Sequence, residues 1–411
     1  MIITNFLNLN NINNYNDLET KLKTEPYNLK FKKKSNLTLI YNENNENNDN
    51  NKENLNENEN NIFSENENIN FIKDACNGII IDNNNLNIIR YVYNKTNLID
   101  NLKNDNIIIN PCIEGTLISL YKYNDKINIS TKKCIDSSKS KWISKKSFYD
   151  LFLECWGDND FSEINENIIY NFILIHPDNN HIIKYINKGL ILLNCRSMED
   201  LSILNIKLNN DNVEYFNINI IDDVDTFIEN KIDINFNFKL NCYKFKNLDS
   251  YYYFFNKINK YTDIHKVIKG FFLTDNINSF KNIFENYNIC SEFKLNHSDP
   301  LFSYFCLRKD YYKLDKYIKL FPEELNNILT IEHNLIMMNK CIYMIYIDSK
   351  INKNKNILIP KIFKTTIYKI HGLYLKNRIN ITENIIFNYM NSLDEKQLIV
   401  IFRNYLKEYC S

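Results

Sequence analysis

The stretch IIINPCIEGTLISLYKYNDKINISTKKCIDSSKSKW, residues 107–142, decides the fold. The β-branched run Ile107–Ile109, the apolar segment from Leu117 and the segment Lys126–Thr131 read as three strands. Cys112-Ile-Glu-Gly-Thr116 forms the loop between the first two. Asn124-Asp125 is a hairpin turn, because short polar side chains tolerate the positive φ that tight turns require. A polar, lysine-rich segment follows and ends at Trp142.

Working outward, LTLIY (Leu37–Tyr41) and GIIID (Gly78–Asp82) read as strands. NLNIIRYVYN, across an Asn-rich turn, completes a hairpin with the latter. Downstream, Phe148, Leu151, Phe152 and Cys155 recur at amphipathic-helix spacing within Lys145–Trp156. IIYNFILIHP (Ile168–Pro177) is a buried-strand run, and HIIKYINKGLILLNCRS reads as two further strands around Asn187–Gly189. A helix start is expected at Met198, and strands dominate from there through Lys266–Asp275. After Ser279 the pattern turns helical: Leu307–Phe321 and Glu323–Leu335, separated by Pro322, then Thr366–Leu375 and Glu383–Tyr409. No repeat period is visible. Residues Asn42–Asn70 are almost entirely Asn and Glu. They bury too little apolar surface to offset chain entropy, so a disordered insertion is expected there.

The chain has 411 residues, enough for two or three domains. Its 50 basic and 50 acidic side chains balance, so a nucleic-acid role has to rest on a local patch and not on overall charge. Ten cysteines show no CxxC pair or Cys/His zinc spacing, which points to a reducing compartment and buried thiols. No run approaches the roughly 18 apolar residues of a membrane span, and a cytoplasmic protein without membrane partners is expected. The excess of Asn, Ile, Lys and Tyr is what an AT-rich genome produces, eukaryotic or large-viral.

In Cys112-Ile-Glu-Gly-Thr-Leu117 the Glu-Gly pair follows a position that, in covalent nucleotidyltransferases, holds the attacking lysine of a Lys-x-Asp/Glu-Gly motif. The region from about Phe71 to Asp310 resembles the N-terminal domain of bacteriophage-type RNA ligases. Gly78–Asp82 is similar to a strand preceding the lysine motif, and Tyr93-Asn-Lys95-Thr-Asn97 to an Asn-Lys-Phe-Phe-Asn segment. Ser130-Thr131-Lys132-Lys133 is similar to Ser-Thr-Arg-Gly, with Ser140-Lys-Trp142 after it. Pro177-Asp-Asn179 is similar to Pro-x-Asn-Arg, Lys269-Gly-Phe-Phe272 to Glu-Gly-Phe-Val, and Lys294 to the first lysine of a late Lys-x-Lys.

The resemblance implies an α+β nucleotidyltransferase-like, antiparallel-sheet domain over residues 1–300, and the helical pattern after Ser279 points to a smaller α-helical domain over 301–411. The resemblance also implies nucleotide- or phosphate-binding roles for Lys95, Thr131, Lys132, Lys133 and Lys294. The departures imply lost chemistry. Cys112 replaces the nucleophile, Ile173 and Lys269 replace two carboxylates, and Asn180 or His181 replaces an arginine. Because such groups act as a unit, losing several implies a degenerate member. ATP and Mg²⁺ are implied as cofactors only for an active enzyme.

Individual residues leave alternatives open. Cys112 is a thiol nucleophile or a buried small residue. Glu114 holds a metal or ribose hydroxyl, or persists with Gly115 because the turn needs the pair. Lys132, Lys133, Lys139, Lys141, Lys145 and Lys146 grip phosphates or form a solvated face. Trp142 stacks on a base or joins the core; His176 and His181 bind a metal or are structural; Tyr251–Phe255 is a helix or strand core face or a stacking platform. Three functions compete. One is an inactive RNA-ligase-like protein that binds a nucleotide, RNA or a partner protein. The second is an active ligase whose nucleophile has moved to Lys122, Lys103 or Lys95. The third is a scaffold whose pocket is filled by side chains such as Ile173 and Phe272.

Overall fold

The computed structural model describes residues 12, 14–43, 69–70, 72–92, 105–220, 241–260, 264–274, 279–295, 299–354 and 356–410. Lys95, Lys103, the segment Tyr93–Asn97 and nearly all of the Asn/Glu-rich insertion lie outside the described residues. The chain divides into two compact units, Met1–Asn288 and Ile289–Ser411.

The first unit is mixed α/β and mainly antiparallel. Helix α1 (Tyr15–Lys23) is capped by the Asn14 side chain and buries Leu18 and Leu22. Strands β1 (Lys30–Lys34), β2 (Leu37–Tyr41), β3 (Ile79–Asp82) and β4 (Ile88–Arg90) form a four-stranded antiparallel meander. Both faces of this sheet are covered. Ile40, Ile79 and Ile81 pack with α1, while Leu37, Leu39 and Ile80 pack with Tyr121 and Ile135. That is why LTLIY and IIID are continuous apolar runs and do not alternate.

Strand β5 (Asp105–Cys112) and strand β6 (Thr116–Tyr123) are consecutive but belong to different sheets. β6 pairs with β7 (Lys126–Thr131) through a turn in which Asn124 and Asp125 have φ of 50° and 59°. β8 (Ile168–Ile175), β9 (Gly189–Ser197), β10 (Ile203–Leu204) and β11 (Val213–Glu214) complete this sheet, in the order β10-β9-β8-β6-β7 with β11 parallel to β9. Helix α2 (Phe148–Trp156) covers one face of it, burying Phe148, Leu151, Phe152, Cys155 and Trp156. Each such large side chain contributes about 1.5–3 kcal/mol.

β5 sits at the centre of the third sheet, ordered β12-β13-β5-β14-β15, with β12 (Asn217–Ile220), β13 (Asn241–Asn247), β14 (Gly270–Thr274) and β15 (Ser279–Ile283). Helix α3 (Leu248–Asn259) lies on it, and Tyr251, Phe254 and Phe255 form an aromatic core with Phe245, Phe271 and Phe284. The run Tyr251–Phe255 is therefore a helix face inside a region expected to be strands.

Helix α4 (Glu285–Lys294) follows β15. The second unit is helical: α5 (Pro300–Leu307), α6 (Tyr311–Leu320), α7 (Leu325–Tyr346), α8 (Lys361–Asn377), α9 (Glu383–Ser392) and α10 (Glu395–Tyr409). Two expected long helices are split. Asp310 caps α6, breaking Leu307–Phe321, and Asp394 caps α10, breaking Glu383–Tyr409. In both cases an Asp side chain accepting from first-turn amides competes with helix continuation. Two further expectations are corrected. Met198–Asp200 is a turn, with the Ser197 hydroxyl accepting from Glu199 N, and does not begin a helix. His181–Lys188 is a loop, so only Gly189–Ser197 is a strand there.

Candidate functional site

Because β5 and β6 lie in different sheets, Ile113-Glu114-Gly115 is the point where the chain crosses between them. Gly115 permits that crossing. A Cβ there would stand 2.5 Å from Ile173 Cγ2 and 2.7 Å from the Leu174 carbonyl oxygen. The glycine is needed for close approach to β8. Around it Ile113, Ile175 and Ile191 form a buried cluster, with Ile173, Tyr185 and Phe216 packed against them. Ile173 thus fills with a methyl group the space a Cβ at Gly115 would take, while the glycine itself is exposed.

Glu114 is 7% exposed, and internal donors surround its carboxylate. Oε2 accepts from the amides of Ile182 at 3.0 Å and Ile183 at 2.6 Å, and Oε1 accepts from the Tyr287 hydroxyl at 2.5 Å. His181 Nδ1 lies 3.7 Å from Oε1. Burial pushes the carboxyl pKa up, but His181, Lys269, Tyr287 and the Ile183 amide outweigh it and hold it below the ordinary value. Burial, together with the Glu114 charge, pushes the Tyr287 phenol far up, so it stays a donor. These bonds explain why His181–Lys188 leaves strand geometry: two of its amides point at a carboxylate and not at a neighbouring strand.

Cys112 is buried, and its register partner is Gly270. Burial raises the thiol pKa, against the pull of Lys281 and Lys269. A buried, protonated thiol is not a nucleophile at neutral pH. Lys269 donates its backbone amide to the Cys112 carbonyl at 2.8 Å, and its Nζ lies 5.6 Å from the Tyr287 ring centre. Lys281, on β15, was missed by sequence reasoning; only strand register brings it near Cys112.

Thr131 pairs with Ile118 and closes a tight loop with Cys134, its amide donating to the Cys134 carbonyl at 2.9 Å. The loop's Lys133 carbonyl accepts from Lys32 Nζ at 3.1 Å, and the Lys132 side chain packs beside Gly78. Thr131–Lys133 therefore lies at the Glu114 end of the β6–β7 pair. Lys294 belongs to the second unit, where its Nζ bonds Glu324 Oε1 at 2.9 Å and stands 4.6 Å from the Phe321 ring centre. Burial lowers the Lys294 pKa, but Glu324 and Tyr317 outweigh it and raise the value overall. Lys122 is six residues beyond Thr116 along β6, roughly 20 Å by strand rise from the end of the strand next to Glu114. It cannot serve as a nucleophile beside Glu114.

Asn179 ties the crossing loop to the lysine-rich segment. Its Nδ2 donates to Thr116 Oγ1 at 3.3 Å, and its Oδ1 accepts from the Ile143 amide at 3.4 Å. Trp142 is 40% exposed, contrary to the core position favoured for such an aromatic, and its ring centre lies 5.1 Å from that of His181. His176 is structural: Nδ1 accepts from the Asp178 amide at 3.1 Å and Nε2 lies 3.2 Å from Glu154 Oε2.

A divalent cation does not fit these residues. Both Glu114 oxygens already accept hydrogen bonds, and the Lys269 ammonium acts on the same carboxylate. Among the described residues no group of three or more His, Cys, Asp or Glu could hold a metal ion. Also among the described residues, no helix is long and apolar enough to cross a membrane.

No family model matches the chain, and no curated protein matches it. Among solved structures it is similar to one described as a putative ATP-dependent DNA ligase from Aquifex aeolicus. The identity is 11% and the TM-score 0.38, over 77% of this chain and 74% of that one.

Proposed function

We propose that this chain is a catalytically inactive, RNA-ligase-like protein of nucleotidyltransferase type that works by binding, with no covalent nucleotidyl transfer. One observation carries the reading. The carboxylate that would serve a ribose or metal, Glu114, is buried, and both its oxygens accept from the protein itself. Cys112 in the nucleophile's place and Ile173 packed over Gly115 support it further. Binding then falls to surfaces outside this filled site, with RNA, a nucleotide or a partner protein as the candidate ligands.

The test is incubation of the full chain with α-labelled ATP, and separately GTP, with Mg²⁺ or Mn²⁺, followed by a denaturing gel. No labelled band is expected, and none from Cys112→Lys, because Ile173 and Lys269 still stand where carboxylates are required. A band from the wild-type chain that survives denaturation overturns the reading. A second reading, an active enzyme with a moved nucleophile, is favoured by one observation: Lys269 is a lysine amine close enough to act electrostatically on Glu114 and Cys112. On that reading the band appears, maps to Lys269 and is lost in Lys269→Arg.

A further inference from the structure

Residues Lys139–Tyr149 combine an exposed aromatic, exposed cations and a preorganised backbone. Trp142 is 40% exposed with its ring set against that of His181, and Tyr149 is 36% exposed in the first turn of α2. Lys139, Lys141 and Lys145 are exposed, and among the described residues none of them forms an ion pair. The acidic groups nearby have closer partners, although Lys141 still acts electrostatically on Asp150. Asp136 pairs with Lys34 at 2.6 Å, Asp150 closes the α2 capping box with Ser147, and Glu154 and Asp178 hold Lys146 at 2.8 and 3.2 Å.

The segment is fixed along its length. Asp136 caps its start, the Phe148 amide donates to the Ser140 carbonyl at 2.9 Å, and Asn179 receives the Ile143 amide. A backbone already held in place loses little freedom when a ligand arrives.

We propose that this segment binds single-stranded nucleic acid, a base stacking on Trp142 while Lys139, Lys141 and Lys145 meet the flanking phosphates. The proposal rests on the non-catalytic binding reading above and gives it a surface and a partner. An exposed indole between cations suits a ligand that alternates flat faces with negative charges. An acidic peptide supplies the charges without the faces. A duplex keeps its bases stacked inside. The neutral overall charge makes the site local, so few phosphates are engaged.

The molecule carries its own reporter. It has two tryptophans, and the other, Trp156, is 2% exposed on the core-facing side of α2, so quenching by a large ligand reports Trp142. The full chain is titrated with a 12-nucleotide oligo(U), with oligo(dT) of the same length, and with a polyglutamate peptide of equal charge. Both oligonucleotides are expected to quench the emission, and the stronger of the two identifies RNA or DNA as the ligand. With three lysines, log K is expected to fall against log salt with a slope of about −2. Replacing the lysines, Lys139→Gln/Lys141→Gln/Lys145→Gln, flattens that slope. By anisotropy of a labelled oligonucleotide, Trp142→Ala binds about 5-fold weaker or worse, in line with loss of one stacked base.

Three results overturn the proposal: no quenching by either oligonucleotide up to about 100 μM, the weak end of non-specific binding; polyglutamate binding as tightly as the oligonucleotides; or unchanged affinity in Trp142→Ala. A labelled covalent band would remove the non-catalytic reading and leave these titrations standing. Absent quenching would remove this proposal and leave that reading standing.

Discussion

Glu114 and Trp142 stand at two ends of one stretch of chain, both linked to His181, and they differ in what they leave available. Glu114 is 7% exposed and both its oxygens accept from internal donors. Trp142 is 40% exposed, next to cations without ion-pair partners among the described residues. A polar group that resembles a catalytic residue by position is here an internal anchor, joining the β5–β6 crossing to the Ile182–Ile183 loop and to Tyr287. The group with free surface lies outside that motif. Position in a motif says which residue type is present, while burial and bonding decide whether it can meet a ligand.

The contrast can be broken from the Glu114 side, where the largest effect is expected. Glu114→Gln removes the charge that two amides and a phenol donate to, and is expected to cost about 3 kcal/mol in denaturant unfolding. Because the folded carboxyl lies below its ordinary value of 4.5, the unfolded chain binds the proton more tightly. The stability from Glu114 is thus present above the unfolded pKa and is lost as pH falls through the folded value. Acid unfolding below pH 4.5 is therefore expected to be less steep in Glu114→Gln, and equal slopes would mean that the anchor is not charged.

A smaller effect tests the close approach at Gly115. Gly115→Ala places a Cβ 2.5 Å from Ile173 Cγ2 and is expected to cost about 1–3 kcal/mol. The double variant with Ile173→Ala should recover part of that cost, and additive losses would remove Ile173 as the filling group. Smallest of all, Trp142→Ala is expected to shift stability by no more than about 0.5 kcal/mol, as exposed positions do. A loss above about 2 kcal/mol would place Trp142 with the core and erase the comparison.

Much of the fold was legible from residues 107–142 and their flanks because the signals were local. The Asn124-Asp125 turn, the doubly buried runs Leu37–Tyr41 and Ile79–Asp82, and the apolar spacing of α2 each reflect neighbouring side chains. What escaped depends on contacts distant in sequence. Nothing local separates β5 from β6 into different sheets. Ile182, Ile183 and Tyr185 look like a strand because the acceptor of the first two amides lies 68 and 69 residues away. Lys281 reaches Cys112 only through pairing with β14 and β5. Lys294 is singled out by its likeness to a Lys-x-Lys motif, and that likeness gives no sign of its buried partner Glu324, 30 residues on in the helical unit. At the site, Cys112 as a buried thiol and Ile173 as a filling group were readable from residue type. The saturation of Glu114 and the exposure of Trp142 were not.

The central claim is that the Glu114 carboxylate is held by the protein and is not kept for a ligand. Amide hydrogen exchange at Ile182 and Ile183, with and without ATP and Mg²⁺, tests it most directly. The account predicts slow exchange at both amides in the wild-type chain, unchanged by nucleotide and metal, and fast exchange in Glu114→Gln. Exchange at unprotected rates in the wild-type chain, or amides released when ATP and Mg²⁺ are added, would contradict it.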